Sequence, residues 1–391
     1  MKKSFLLLLS LLLLFPVSCG TPKEQPADPF PPVSTAKETE TLFPGTDTDR
    51  ETGTEPVLPD PIEELIDSLS LEEKVGQLFL VRLPAAGVDT AIREYHVGNF
   101  ILFANDFDGL SGNEVREKIA GLQSQSRIGM LIAVDEEGGT VNRVSKFKEL
   151  RDEPFPSLSA LYQKGGIEAI RKDAEEKGAF LRSFGINLNI APVADVSTDP
   201  DDFIFKRTVG QNAEITAKAV AAAVSGMNAS GIACSVKHFP GYGSNADTHT
   251  GIAIDERPFS SFLNNDFLPF RAGIEAGVKT VMVSHNIVKC MDADRPASLS
   301  YEVHRILRQE LGFGGVIITD ELSMGAILDY TDGKSAAVAA ILAGNDLLCV
   351  TDYQTQIPAV IEAVRNGSVP EKTVNDALYR VLSLKKDLGL I

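Results

Sequence analysis

Between residue 61 and the C-terminus, eight short apolar runs recur, at 75–83, 97–103, 130–135, 186–194, 232–238, 280–285, 315–320 and 346–350, each followed by a helix-like stretch. The runs are rich in Val, Ile and Leu without polar alternation, as parallel strands covered on both faces must be. Helical periods of several turns fall at 168–183, 213–230, 301–311 and 333–343, and the chain finishes in another at 374–388. Eight such alternations predict an α/β fold, a single (β/α)8 TIM barrel over 61–391, rather than a doubly wound open sheet. A barrel of this kind gathers its reactive groups just past the carboxyl ends of its strands. Several runs do end in polar residues: Asp135-Glu136-Glu137, Asp195, Lys237-His238, His285 and Thr319-Asp320 would all face one mouth.

The 391-residue chain opens on Met1-Lys2-Lys3 and an apolar core over 4–15, which ends at Pro16-Val17-Ser18-Cys19-Gly20. A positive end and an apolar core too short to span a bilayer comfortably make a secretion signal over 1–18. Cys19 resembles the acylated cysteine of a bacterial lipobox, although Pro16 stands where an aliphatic residue is more usual. The expectation is an exported protein, lipid-anchored to a bacterial cell membrane, against a plainly cleaved periplasmic or secreted form. Residues 19–60 are rich in Pro, Thr, Glu and Asp and offer little to pack, so they should form a solvated, disordered tether. The formal charge of −17 argues against nucleic acid and against adsorption to acidic membranes, which leaves a lipid as the means of attachment. Cys234, Cys290 and Cys349 lie in apolar, strand-like runs without metal-type spacing and read as buried free thiols, though an exported protein could pair two of them.

The segment from Lys237 to His249 concentrates reactive groups in one loop, and Gly241 and Gly243 admit backbone angles that other residues resist. Asp247 and His249 are two apart, close enough for the carboxylate to hold one imidazole nitrogen and leave the other free to move a proton. His249 is therefore a candidate general acid/base with Asp247 as its orienter. A solvated polar loop and a metal site are the other readings, but no further close ligand completes a zinc pattern. Asp320, at the end of a buried run, is the candidate nucleophile; the plain alternative is a helix N-cap for 321–329. Lys237 and His238 continue an apolar strand, so at least one points inward, where a lysine must find hydroxyls or carboxylates. Asp135, Arg143 and Arg207 are polar groups suited to gripping a hydroxylated ligand, with an ordinary surface position as the alternative for each arginine. The chain has no Gly-rich phosphate loop, no Gly-x-Ser-x-Gly elbow and no dinucleotide fingerprint. Carboxylate chemistry is left in front, and no metal or organic cofactor is called for.

Three motifs occur in order and at strand ends: Asp135-Glu136-Glu137-Gly138-Gly139 with Asn142-Arg143; Lys-His-Phe-Pro-Gly-x-Gly at 237–243 followed by Asp247-x-His249; and Thr319-Asp320-Glu321-Leu322-Ser323-Met324. Together they resemble glycoside hydrolase family 3, specifically its single-domain bacterial β-N-acetylglucosaminidases, or β-hexosaminidases, over 61–391. The resemblance implies a retaining exo-β-N-acetylglucosaminidase that takes terminal GlcNAc from peptidoglycan fragments or other glycans, with a carbohydrate as its partner and no cofactor. Asp320 would attack the anomeric carbon, and His249, oriented by Asp247, would protonate the departing oxygen and later activate water. Asp135, Arg143, Arg207, Lys237 and His238 match positions that hold the sugar. The sequence departs from the family pattern at Tyr242, where another histidine is usual, and in the stretch from Gly243 to Asp247, which is one residue short. The arginine usual after the second strand's Leu-Phe is also absent, the chain running Leu102-Phe103-Ala104-Asn105-Asp106. A β-glucosidase, a β-N-acetylglucosaminide phosphorylase and a non-catalytic sugar-binding lipoprotein are the alternatives on the same scaffold. The last would be expected to lack a nucleophile or acid/base, and Asp320, Asp247 and His249 are all present.

Overall fold

In the computed structural model of the protein, residues 60–243, 253–324, 327, 330–331 and 336–391 are described. They form β1 (Phe79–Arg82), β2 (Asn99–Leu102), β3 (Leu131–Val134), β4 (Leu188–Asn189), β5 (Ala233–Phe239), β6 (Ile254–Asp255), β7 (Thr280–Val283), β8 (Ile287–Val288), β9 (Val316–Thr319) and β10 (Leu348–Val350). Eight of these pair in one sheet, in the order β10-β1-β2-β3-β4-β5-β7-β9. Every pairing in it is parallel, with registers such as Phe79 opposite Leu348, Ile101 opposite Ala133 and Val281 opposite Ile317. A bridge between Ile318 and Leu347, with Thr319 N donating to Leu347 O at 3.0 Å, joins β9 to the approach of β10 and closes the barrel. The eight expected runs are the eight barrel strands, and their apolar character follows from full burial: β2, β3, β7 and β9 expose no residue.

The boundaries differ for identifiable reasons. Residues 75–76 belong to the helix Leu71–Gly76, which Ser70 and Glu73 start with a reciprocal capping box, so the first strand begins only at Phe79. β4 is two residues long, although 186–194 reads as one apolar run. Pro192 has no N–H to donate, and around it the chain keeps beside β5 through Ser235 N to Ala191 O at 3.1 Å, Lys237 N to Pro192 O at 3.3 Å and Ala194 N to Lys237 O at 2.6 Å. The helix expected at 168–183 starts earlier, within Leu158–Arg182, and is broken at Gly165 and Gly166. The helix expected at 301–311 is Tyr301–Arg305 continued by a π-helical turn, Ile306–Glu310. β6 and β8, a separate parallel pair, had no counterpart in the expected elements. Cys234 and Cys349 are buried free thiols as expected, but Cys290 is exposed, because the chain turns out of β8 just before it. Asp60, which caps the helix Pro61–Asp67 and accepts from Tyr379 Oη at 2.6 Å, is where the described fold begins; the signal, Cys19 and the rest of the tether lie outside the described residues. No helix among the described residues is long and apolar enough to cross a membrane.

At the amino ends of β1 and β2, Lys385 of the last helix, Glu371–Asp387, is fully buried and donates to Gln77 Oε1 at 2.6 Å and Gly98 O at 3.1 Å. Burial pulls its pKa down to about 7. The unfolded chain, with an ordinary lysine pKa of about 10.4, then binds more protons than the folded one above neutrality, so this group lets stability rise as pH rises through that window. Denaturation at about pH 7.5 and about pH 9.5 should show the wild type gaining up to about 3 kcal/mol relative to Lys385→Met over that interval. Parallel profiles would mean that Lys385 stays charged in the native state.

Candidate active site

β3 delivers three consecutive carboxylates to the barrel mouth, and their alternation divides the work. Glu136 is buried and turned into the loop that follows: it accepts from Arg143 N at 2.7 Å, Val144 N at 2.8 Å and Ser145 N at 3.2 Å, and from Ser145 Oγ. This fixes the backbone of Arg143. Asp135 and Glu137, two apart, both face Lys237 Nζ at 2.7 Å. Arg207, in a short 3-10 turn after β4, forks onto Glu137 at 2.9 and 2.7 Å. Burial alone would push Glu137 up, but the charges of Lys237 and Arg207 outweigh it and hold the carboxyl far below the usual range. Burial would likewise strip Lys237 of its proton, and the Asp135 and Glu137 charges reverse that, leaving its pKa raised.

His238 extends the chain of contacts. Its Nε2 lies 3.2 Å from Arg207 Nη2 and its Nδ1 2.7 Å from Asp195 Oδ2. A guanidinium can only donate, so Nε2 accepts and Nδ1–H donates to Asp195. Asp195 also accepts from His238 N at 3.2 Å and Tyr242 N at 2.7 Å, which fixes the backbone on both sides of the Phe239-Pro240-Gly241 corner. Asp135, Lys237, Glu137, Arg207, His238 and Asp195 thus form one continuous polar chain across the ends of β3, β4 and β5. The sequence reading singled out Asp135, Arg207, Lys237 and His238 for ligand contact, and the structure brings all four together. It missed the pairing roles of Glu137 and Asp195; the two-residue spacing from Asp135, which puts Glu137 on the same side, was the available signal.

Asp320 follows β9, half-buried, with its N–H donating to Val283 O at 3.1 Å. Its Oδ1 accepts from Glu321 N at 2.8 Å, one residue on, where a helix cap would accept from the second or third. Residues 321–324 form a turn held by His285, whose Nε2–H donates to Glu321 O at 3.0 Å while Nδ1 accepts from Ser298 Oγ at 2.7 Å. Glu321 in turn accepts from Thr351 N at 2.9 Å, tying the turn to the end of β10. Burial pushes the pKa of the Cys349 thiol well up, and the carboxylates of Glu321, Asp320 and Asp135 add to this, against Lys237.

Phe103 takes two guanidiniums, with Arg82 Cζ at 4.8 Å and Arg143 Cζ at 5.4 Å from its ring centroid. The chain that lacks an arginine just after Phe103 therefore supplies cations to that ring from the end of β1 and from the loop after β3. Tyr242, a second departure, is buried, with its ring edge-on to His238 at 5.5 Å between centroids; most of the third, the short stretch from Gly243 to Asp247, lies outside the described residues. A cavity of about 820 Å³ opens beside Arg82, Phe103, Asn105, Asp106 and Thr351 and includes neither Asp320 nor the polar chain. Asp247 and His249 lie outside the described residues. Among the described residues no three His, Cys, Asp or Glu side chains converge as a metal site.

A parallel barrel with a fixed carboxylate and a chain of paired charges at its strand ends is the layout of a barrel enzyme acting on a polar substrate. Residues 70–384 match the glycosyl hydrolase family 3 N terminal domain. The chain is 33% identical over 333 residues to β-hexosaminidase LpqI of Mycobacterium tuberculosis, covering 81% of this chain and 83% of that one. Among solved structures, a glycoside hydrolase family 3 β-N-acetylglucosaminidase from Paenibacillus sp. matches with a TM-score of 0.77 and 32% identity, over 83% of this chain and 63% of that one. A β-N-acetylhexosaminidase from Beutenbergia cavernae matches with a TM-score of 0.73 and 30% identity, over 81% of this chain and 99% of that one. The chain belongs to glycosyl hydrolase family 3 and is a glycoside hydrolase.

Glu137 provides a test of the polar chain. Removing one partner of a buried ion pair typically costs about 3–5 kcal/mol, so Glu137→Gln should lower the unfolding free energy by that order. A loss under about 1 kcal/mol in chemical denaturation would show that Lys237 and Arg207 do not depend on it.

Proposed function

We propose that this protein is a retaining exo-β-N-acetylglucosaminidase that removes terminal, non-reducing β-linked GlcNAc from peptidoglycan fragments or other glycans. The observation that carries the reading is Asp320, a carboxylate anchored by the backbone of β7 and the 321–324 turn at the mouth that holds the Asp135–Lys237–Glu137–Arg207 chain. The relatives named β-hexosaminidase and β-N-acetylglucosaminidase support the sugar. In this mechanism the Asp320 carboxylate attacks C1 of the sugar as the C1–O bond breaks, and imidazolium at His249 gives its proton to the leaving oxygen. Neutral His249 then takes a proton from water as the water oxygen attacks C1, and Asp320 leaves as carboxylate with net retention. Asp135, Lys237, Arg143, Arg207 and His238 hold the hydroxyls and the N-acetyl group. A histidine in place of the usual second carboxyl suits both proton transfers near neutrality, since its reference pKa is about 6.5.

The expected outcome is release of p-nitrophenol from its β-GlcNAc derivative by the protein, abolished in Asp320→Ala with the fold retained. Preference for the β-glucoside would overturn the sugar, and sugar 1-phosphate formed in phosphate buffer would make the enzyme a phosphorylase. Binding without turnover would favour a sugar-binding protein.

Export and lipid attachment through Cys19 complete the proposal, supported by the short apolar core and the small residues before Cys19. Expressed at full length in a bacterium, the protein should sediment with membranes and Cys19→Ala should not; equal sedimentation would remove the lipid anchor.

A further inference from the structure

Gly243 and Ala253 flank the residues that include Asp247 and His249, and three side chains join the described chain on the two sides. Asp255, in β6, and Asp266, at the end of the π-helical turn Phe262–Asp266, are both buried. Arg257 lies between them. Its Nε reaches Asp255 at 3.0 and 3.1 Å, its Nη2 reaches Asp255 Oδ2 at 2.8 Å, and its Nη1 reaches both oxygens of Asp266 at 3.0 and 3.1 Å. The same Nη2 points at Gly241 O at 3.5 Å, and the guanidinium lies over the Phe262 ring at 4.4 Å from its centroid.

The outgoing end of the loop is built against this cluster. Gly241 and Gly243 have φ of 126° and 57°; a Cβ on Gly241 would strike Asp266 Oδ1, and one on Gly243 would come within 2.7 Å of the Arg257 guanidinium. Only glycine lets the backbone lie so close to these groups. The returning end is fixed by β6, which pairs with β8, and by Lys289 N donating to Asp255 O at 2.9 Å. Among the described residues, the Arg257 guanidinium donates to Asp255, Asp266 and Gly241, all at the base of this loop, and not to Asp320, Asp135 or Glu137.

The geometry points to Arg257 as a positioning residue for acid/base catalysis: by holding Asp255, Asp266 and the Gly241 carbonyl at once, it fixes the described chain on both sides of the residues that carry His249. The inference rests on the proposed role of His249. It assigns Arg257 no contact with sugar and no share in nucleophilic attack by Asp320. Arginine is needed because one planar fork satisfies two carboxylates and a carbonyl together, whereas an ammonium is a single point charge.

The test compares kcat/KM on two substrates. The 2,4-dinitrophenyl β-GlcNAc glycoside needs no protonation on departure; the disaccharide GlcNAc-β-1,4-GlcNAc does. Arg257→Lys keeps a charge between the buried carboxylates, and Arg257→Met with Asp266→Asn removes the guanidinium and one of its two carboxylates together. Each should lose about 10²-fold on the disaccharide and stay within about threefold on the dinitrophenyl substrate. Azide, which attacks C1 of the glycosyl-enzyme without general-base help and releases the Asp320 carboxylate, should raise kcat on the dinitrophenyl substrate in both variants, yielding glycosyl azide. Equal losses on both substrates, whether from misfolding or from damage to the sugar pocket, or no loss at all, would overturn the inference. His249→Ala runs beside them. If it shows the leaving-group dependence and the Arg257 variants do not, only the role of Arg257 fails; if it does not show it, the acid/base reading itself fails.

Discussion

A lysine ammonium buried at the mouth of an apolar barrel is the constraint on which the site depends. Among the described residues, two fully buried lysines show the alternatives. Lys385, at the amino ends of the first strands, has only a side-chain amide and a peptide carbonyl as acceptors, and burial pulls its pKa down to about 7. Lys237, at the carboxyl ends, has a carboxylate oxygen at 2.7 Å on two sides and keeps its proton. The charges of Lys237 and Arg207 in turn hold the Glu137 carboxyl far below the usual range. Arg207 then balances Glu137 and, through His238, leads on to Asp195. Each group is there because its neighbour could not be desolvated without it.

This chain of pairs gives the mouth a fixed pattern of donors and acceptors before any sugar arrives. An enzyme that stabilises charge at one carbon gains most from groups that need not reorganise during the reaction. Three carboxylates that are adjacent or nearly so in sequence reach different fates by this logic: Asp135 and Glu137 turn to the cations, while Glu136, between them, spends its oxygens on the loop that carries Arg143. Around the next corner, Asp195 on one side and Arg257 with Asp266 on the other hold the backbone from 238 to 243. The loop proposed to supply the proton therefore starts from a rigid base, and the proposed nucleophile, Asp320, stands on a different strand beside a turn supported by His285 and Thr351.

Much of this was legible in the sequence. The eight apolar runs are the eight barrel strands, and the polar residues at their ends do converge, because burial on two faces and the direction of a parallel strand are written locally and repeated. Errors came where a local signal had a competing cause. The first run was read two residues into a helix that Ser70 and Glu73 start, the fourth was read through Pro192, and Cys290 was read as buried although the chain turns out of β8 just before it. Arg257 and Asp266 left no trace as a pair, since an arginine and an aspartate nine residues apart in a polar stretch look like ordinary surface.

The sequence by itself determined the barrel, the strand that bears Asp320 and the order of the motifs, because hydrophobic period and strand-end position are properties of short segments. Only the tertiary structure decided which charges meet: Lys237 with Asp135 and Glu137 across about a hundred residues, His238 with Asp195, and Arg257 with both ends of the loop. A buried charge takes the partner that distance and desolvation leave to it, and both are set only when the strands have closed.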